Sequence, residues 1–160
     1  KKGFAFLINA LKNLPDIELI IAGTGPSEKK LIKISKGYKN IKLIGWVNDK
    51  ESFFSKIDVF CLPSTVEPFG LVILEAMARG IPVISTNCKG PNDIITHYNN
   101  GIIIKINCRD QLMEQLKSLK EKLDLRKKIS NNGIKTIKYK YSINEYKKNL
   151  FYFLNNIHGN

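Results

Sequence analysis

Two acidic residues, Glu67 and Glu75, are separated by seven residues in the stretch Pro63-Ser-Thr-Val-Glu67-Pro-Phe-Gly70-Leu-Val-Ile-Leu-Glu75-Ala-Met-Ala-Arg-Gly80. Between them lies Gly70, which leads into a helical pattern. The first amides of a helix have no internal partner and sit at the positive end of its macrodipole, so the tip of this helix is an anion site. Glu75 falls about 6 Å into the helix at the standard rise. A phosphate held at Gly70 would have one carboxylate beside it on the loop and another on the helix. Carboxylates accept hydrogen bonds in parallel and suit vicinal hydroxyls. A diphosphate with a sugar on each side, a nucleotide sugar, has that shape. A second reading uses the same residues: Glu75 pairs with Arg79 four positions on, and Glu67 is an ordinary loop acid. Glu75 is the only polar residue between Leu71 and Ala78, which predicts a buried carboxylate that needs partners. Spacing alone leaves both readings open.

The elements that must position these residues alternate along the chain. Apolar runs at 18–22, 41–45, 58–62, 82–85 and 101–104 read as strands, and 27–36 and 71–79 as helices. Asp49 is suited to cap a short helix carrying Phe53 and Phe54. A loop over 87–91 and a short helix near 93–98, with Asp93 as its N-cap, separate the last two strands. Beyond Arg109 the pattern is wholly helical, through 111–123, 125–138 and 143–154, a C-terminal helical region over about 109–156. Strands apolar on both sides, each followed by a helix, predict an α/β fold with a doubly wound, Rossmann-like parallel sheet over residues 1–160 as one domain. Ligands of such sheets bind at the carboxyl ends of the strands, which here means just after Ala22, Gly45, Leu62 and Ser85.

Composition narrows the class. The chain has 160 residues, 43% apolar and 25% charged, enough for one core and unlike a disordered or collagen-like chain. Cys61, Cys88 and Cys108 form no framework and no C-x-x-C, which predicts a reduced, cytoplasmic protein. No apolar stretch reaches the roughly 18 residues of a membrane span. The chain opens at Lys1-Lys2-Gly3 without an initiator Met, which predicts a piece of something longer. Its 26 basic and 14 acidic residues give a net charge of +12, with 13 basic and 5 acidic side chains in residues 105–160. Only three of the 26 are arginines, the residue that base and bidentate phosphate recognition favour. The excess therefore reads as a solvated lysine face, not a nucleic-acid site. Contact with an anionic membrane stays open. His97 and His158 lack metal-ligand spacing, so no metal is expected.

The stretch from Pro63 to Val83, with its E-x7-E spacing and Leu74-Glu75-Ala-Met-Ala78, resembles the signature of retaining glycosyltransferases of family four, which have the two-domain GT-B architecture. Lys2-Gly3, Ile20-Ile-Ala-Gly-Thr-Gly-Pro26, Ile44-Gly-Trp-Val47 and Gly90-Pro-Asn-Asp-Ile-Ile95 resemble further motifs of that family, in its order. The resemblance covers nearly the whole chain and implies its C-terminal, donor-binding half. It implies that Glu75 holds the ribose hydroxyls, that Glu67 contacts the transferred sugar, and that the amides of Phe69, Gly70 and Leu71 meet sugar and diphosphate. Lys2 would pair with the diphosphate and offset charge on the leaving nucleotide. The Gly23-Thr-Gly25 loop would pass near the donor, a plain βα turn being the equal alternative, and Val47 would lie against the base. Trp46 is expected to pack. The implied donor carries a hexose or N-acetylhexosamine on UDP, transferred to a glycan or lipid-linked acceptor in surface polysaccharide assembly, with no cofactor. An arginine usual upstream and the N-terminal acceptor-binding half are not in this sequence, so the fragment is expected to bind donor weakly and transfer nothing. A different class stays as the alternative: a non-catalytic flavodoxin-like module using a basic face on membrane or nucleic acid.

Overall fold

The computed structural model describes residues 2–157. In chain order the elements are α1 (Phe4–Leu11), β1 (Leu19–Ala22), α2 (Glu28–Ser35), β2 (Ile41–Gly45), α3 (Lys50–Phe54), β3 (Phe60–Leu62) and α4 (Leu71–Ala78). Then follow β4 (Val83–Thr86), α5 (Lys89–Ile94), β5 (Ile102–Ile104), α6 (Arg109–Glu121), α7 (Leu123–Lys140) and α8 (Ile143–Ile157). The fold is mixed α/β and every strand pair is parallel.

Pairing is split into two ladders, β1-β2 and β3-β4-β5, where the sequence predicts one sheet. Helix α1 bridges them, because its apolar side chains point to two clusters. Leu7, Ala10 and Leu11 pack with Ile84, Ile102 and Leu112, whereas Ile8 packs with Ile21, Leu31 and Ile41. Double winding is explicit around β4. Ile84 faces α1 and α6, and its neighbour Val83 faces α4 with Ile73 and Met77. Alternation of side chains along a strand requires two covering layers when every position is apolar, and β4 is buried along its whole length.

The β1-β2 ladder departs from this. Lys42 and Ile44 are exposed, so one face of β2 is open. The cause is α3, whose five residues are too few to cover a ladder and instead send Phe54 into the β3-β4 cluster.

Two further departures concern helices. Helix α1 has no counterpart in the sequence reading. It begins at Gly3, whose φ of 72° is left-handed and whose missing Cβ would fall 1.9 Å from the Pro63 carbonyl oxygen. The segment 87–91, expected as loop, holds the start of α5, and the expected helix at 93–98 ends at Ile94. Proline in the first turn costs no hydrogen bond, so Pro91 is compatible with this start. Asp93 is therefore inside the helix, not its N-cap, which is Cys88. The three C-terminal helices are observed within a few residues of expectation. Helix α8 leaves Ile143, Tyr146, Leu150, Phe151 and Phe153 exposed.

Candidate functional site

The carboxyl ends of β3 and β4 assemble the site. Ser85 Oγ donates to the Leu62 carbonyl at 3.0 Å, and Thr86 Oγ1 donates to the carbonyl of Ser64. These buried hydroxyls pin the start of the loop that follows β3, whose carbonyls would otherwise lack partners. At the other end of the loop, the Gly90 N–H donates to the Glu67 carbonyl at 3.0 Å. A Cβ at Gly90 would lie 2.4 Å from the Phe69 oxygen, so only glycine lets α5 approach this closely. Loop 63–70 is thus held from both sides.

Gly70 is the N-cap of α4, with φ 99°. That left-handed conformation favours glycine and turns the chain into the helix, where Ile73 N–H closes on the Gly70 carbonyl at 2.8 Å. The amides before it, Leu71 and Val72, belong to the uncompensated first turn. Leu71 is 65% exposed and Phe69 is exposed as well, so the helix tip opens to solvent. No carboxylate sits in the first turn of α4 to occupy the dipole.

Each of the two acids carries a lysine. Glu67 is 8% exposed, and its Oε2 accepts from Lys2 Nζ at 2.6 Å and from Ser64 Oγ at 3.4 Å. A carboxylate this deep needs such hydrogen-bond partners. Gly3 supplies the geometry, since its contact with Pro63 sets Lys2 beside the loop that bears Glu67. Glu75 differs from expectation: its side chain is 31% exposed, and Oε1 accepts from Lys50 Nζ at 2.8 Å. The apolar residues of α4 from Val72 to Met77 pack into one cluster, which leaves the side bearing Leu71, Glu75 and Ala78 less covered. The Glu75–Arg79 side-chain pair is not made. Arg79 instead pairs with Glu51, donates from Nη1 to the Glu75 carbonyl at 2.8 Å, and lies 4.8 Å over the Phe54 ring. The hydrogen bond that Arg79 donates to Glu51 raises the Arg79 pKa above its ordinary value.

The β1-β2 ladder contributes the neighbouring loops. Gly23 N–H donates to the Gly45 carbonyl at 2.6 Å, which joins the turn after β1 to the end of β2. Gly23 has φ 110°, and a Cβ at Gly23 or at Gly25 would meet nothing within 4 Å, so this loop is open rather than packed. Val47 is half-buried. Trp46, expected to pack, is 72% exposed and donates from Nε1 to Asn48 Oδ1 at 2.9 Å. His97 Nδ1 accepts from the Ile103 N–H at 3.0 Å, a structural role. His158 lies outside the described residues. No group of three or more His, Cys, Asp or Glu side chains able to hold a metal is present among the described residues. Two clefts of about 490 and 550 Å³ lie elsewhere and include neither acid.

Motif order, parallel sheet and site edge converge with one comparison. The family "Glycosyl transferases group 1" matches residues 1–136. The chain belongs to the group 1 glycosyltransferases. Among relatives, it is 30% identical over 145 residues to the lipopolysaccharide core biosynthesis glycosyltransferase LpsE of Rhizobium meliloti, covering 89% of this chain and 43% of that protein. It is similar to the C-terminal domain of a group 1 family protein, LpcC, of Francisella tularensis, at TM-score 0.75 and 31% identity, covering 89% of this chain and 80% of that one. The fold also matches Anabaena HepE in complex with UDP and glucose, at TM-score 0.84 and 22% identity, covering 96% and 45%. The chain spans under half the length of the first curated relatives it matches. These neighbours make the α/β architecture that of a GT-B glycosyltransferase domain.

Within this group 1 glycosyltransferase domain, Lys2, Glu67, Phe69, Gly70 and Leu71 share one edge by direct contact or chain adjacency. Gly23 and Val47 sit at the ends of β1 and β2. Lys50 is the site residue that sequence reading missed. Its signal was its place, one residue after the cap Asp49 and three after Val47, at the start of the helix that follows a loop already assigned to the ligand-binding edge.

Proposed function

We propose that this chain is the donor-binding part of a retaining, family-four GT-B glycosyltransferase. It takes a hexose or N-acetylhexosamine from a nucleotide sugar, with UDP as the carrier, to a glycan or lipid-linked acceptor of surface polysaccharide assembly. The observation that carries this reading is the tip of α4, exposed at Phe69 and Leu71 on either side of buried Gly70, with Glu67 just before it and Glu75 one turn into it. Glu75 accepts from the ribose hydroxyls through the oxygen that Lys50 does not hold. The diphosphate lies at the amides of Gly70 and Leu71, where the helix dipole favours it. Glu67, nearly buried and paired with Lys2, steadies positive charge growing at the anomeric carbon. Lys2 offsets negative charge on the departing nucleotide, and preorganised charges of this kind carry most of such catalysis. No resident cofactor takes part.

The relatives' names, in lipopolysaccharide core and capsule synthesis, and the UDP and UDP-glucose held by HepE, support the substrate class. The protein acts in the cytoplasm. The exposed aromatic side of α8, with Lys147 and Lys148 on the same helix, supports peripheral contact with an anionic membrane surface. By itself this chain binds donor weakly and transfers nothing, since its relatives devote more than half their length to other parts. Calorimetric titration of UDP, GDP and ADP, free and as sugar conjugates, tests the reading. UDP binding that Glu75→Ala abolishes supports it. Donor-dependent transfer by this chain alone refutes the inactivity, and absence of any nucleotide binding refutes the donor site.

A further inference from the structure

Lys50 is not accounted for by stability. The Lys50–Glu75 pair is exposed, 57% at the lysine and 31% at the glutamate, and such pairs contribute little to folding. Its placement is nevertheless tightly specified. Asp49 caps α3 by accepting from the Ser52 N–H at 3.0 Å, which sets where Lys50 begins the helix. The next residue, Glu51, holds Arg79. Glu75 and Arg79 are four apart and share one face of α4, so two consecutive residues of α3 clamp two consecutive turns of α4. Phe54, under the Arg79 guanidinium, anchors α3 in the core.

We infer that Lys50 is a positioning residue for the nucleoside diphosphate, acting through Glu75. This rests on the donor-site reading above. The ligand brings negative charge to an edge that already holds two carboxylates. Lys2 compensates the first, and Lys50 compensates the second. By taking Oε1, Lys50 also fixes the plane of the Glu75 carboxylate and leaves Oε2 for the ribose. A carboxylate has capacity for both sets of donors, so Lys50 stays in place when ligand binds. The clamp further ties Glu75 to the loop bearing Val47, so base and ribose contacts move as one unit.

The test titrates UDP and uridine into the unaltered chain, Lys50→Met, Lys50→Arg and Glu75→Ala, at low and high salt. Lys50→Met weakens UDP about fivefold at low salt, with a smaller loss at high salt; it weakens uridine too, but less, since uridine shares the ribose contact and lacks the diphosphate charge, while Lys50→Arg restores most of the affinity. Thermal unfolding of Lys50→Met stays close to that of the unaltered chain, a readout that separates positioning from folding. Equal or tighter UDP binding by Lys50→Met, with binding still lost in Glu75→Ala, overturns this inference alone, because Lys50 then only competes with the ligand. Undiminished UDP binding by Glu75→Ala, or none by the unaltered chain, overturns the donor-site reading and this inference together.

Discussion

Gly90→Ala isolates the close approach that shapes the site. The new Cβ would lie 2.4 Å from the Phe69 carbonyl oxygen and 2.6 Å from its carbonyl carbon and Cα. All three are backbone atoms, so no side chain can swing aside. Reaching an ordinary contact requires α5 and loop 63–70 to separate by about 1 Å. Overpacking of this kind costs about 1–3 kcal/mol, and stretching the Gly90 N–H bond to the Glu67 carbonyl, now 3.0 Å, adds about 1 kcal/mol. For a chain of this length the sum lowers Tm by about 5–10 °C. Misplacing Phe69 and Gly70 by that distance weakens UDP binding by about tenfold or more. Gly133→Ala is the control. Gly133 lies inside α7, and its Cβ would meet Met77 Cγ of α4 at 3.4 Å, an ordinary side-chain contact, so the change leaves UDP affinity unchanged and raises stability by about 0.5 kcal/mol. Differential scanning calorimetry and UDP titration on both variants provide the check. If Gly90→Ala melts and binds like the unaltered chain, α5 does not hold the loop and the reasoning is wrong.

Other outcomes follow from the same geometry. Lys2→Met leaves buried Glu67 without its charge partner and lowers stability by about 1 kcal/mol, discounted for the exposed lysine; adding Glu67→Gln recovers most of it in a double-mutant cycle by urea unfolding, and strictly additive losses would count against the pair. Asn100 accepts from the Thr96 N–H at 2.7 Å and donates to the Ile94 carbonyl at 3.1 Å and to Thr136 at 2.9 Å, so Asn100→Leu costs about 2–3 kcal/mol in the same assay, and a cost under 0.5 kcal/mol would show the network to be idle. Burial pushes the Cys61 thiol up to about 12 from 9.0. Iodoacetamide at pH 8 should therefore alkylate it about 10³ times more slowly than an ordinary thiol until the chain unfolds, as peptide mass mapping would reveal. The folded state keeps this proton while the unfolded state releases it, so stability from this group is full below pH 9 and falls by about 1.4 kcal/mol per unit between pH 9 and 12. The slope should flatten in Cys61→Ala.

The fold class and the site edge were legible because both follow from local patterns. Short apolar runs ended by glycine or proline mark strands, and β2, β4 and β5 lie within a residue or so of their apolar runs. A strand–loop–helix unit with acids on each side of Gly70 places those acids near a strand's carboxyl end whatever the rest does. Other features were not local. Helix α1 is apolar without a polar face, FAFLINAL, because it serves two clusters on different sides, so no periodicity announces it. Trp46 reads as core by composition, yet it is exposed in the loop after β2, where its indole N–H donates to Asn48. Helix α5 begins earlier than its residues suggest, since the approach of Gly90 to Phe69 carries the chain into a helical turn.

The sequence by itself thus determined the residue types at the candidate site, their order, and the uncompensated helix tip between the two acids, since a dipole and a spacing need only neighbouring residues. Tertiary structure alone decided which charges meet. Lys2 and Glu67 are brought together across 65 positions, and Lys50 and Glu75 across 25. An ion pair depends on distance in space, and that distance is set by how α1, α3 and α4 pack on the strands.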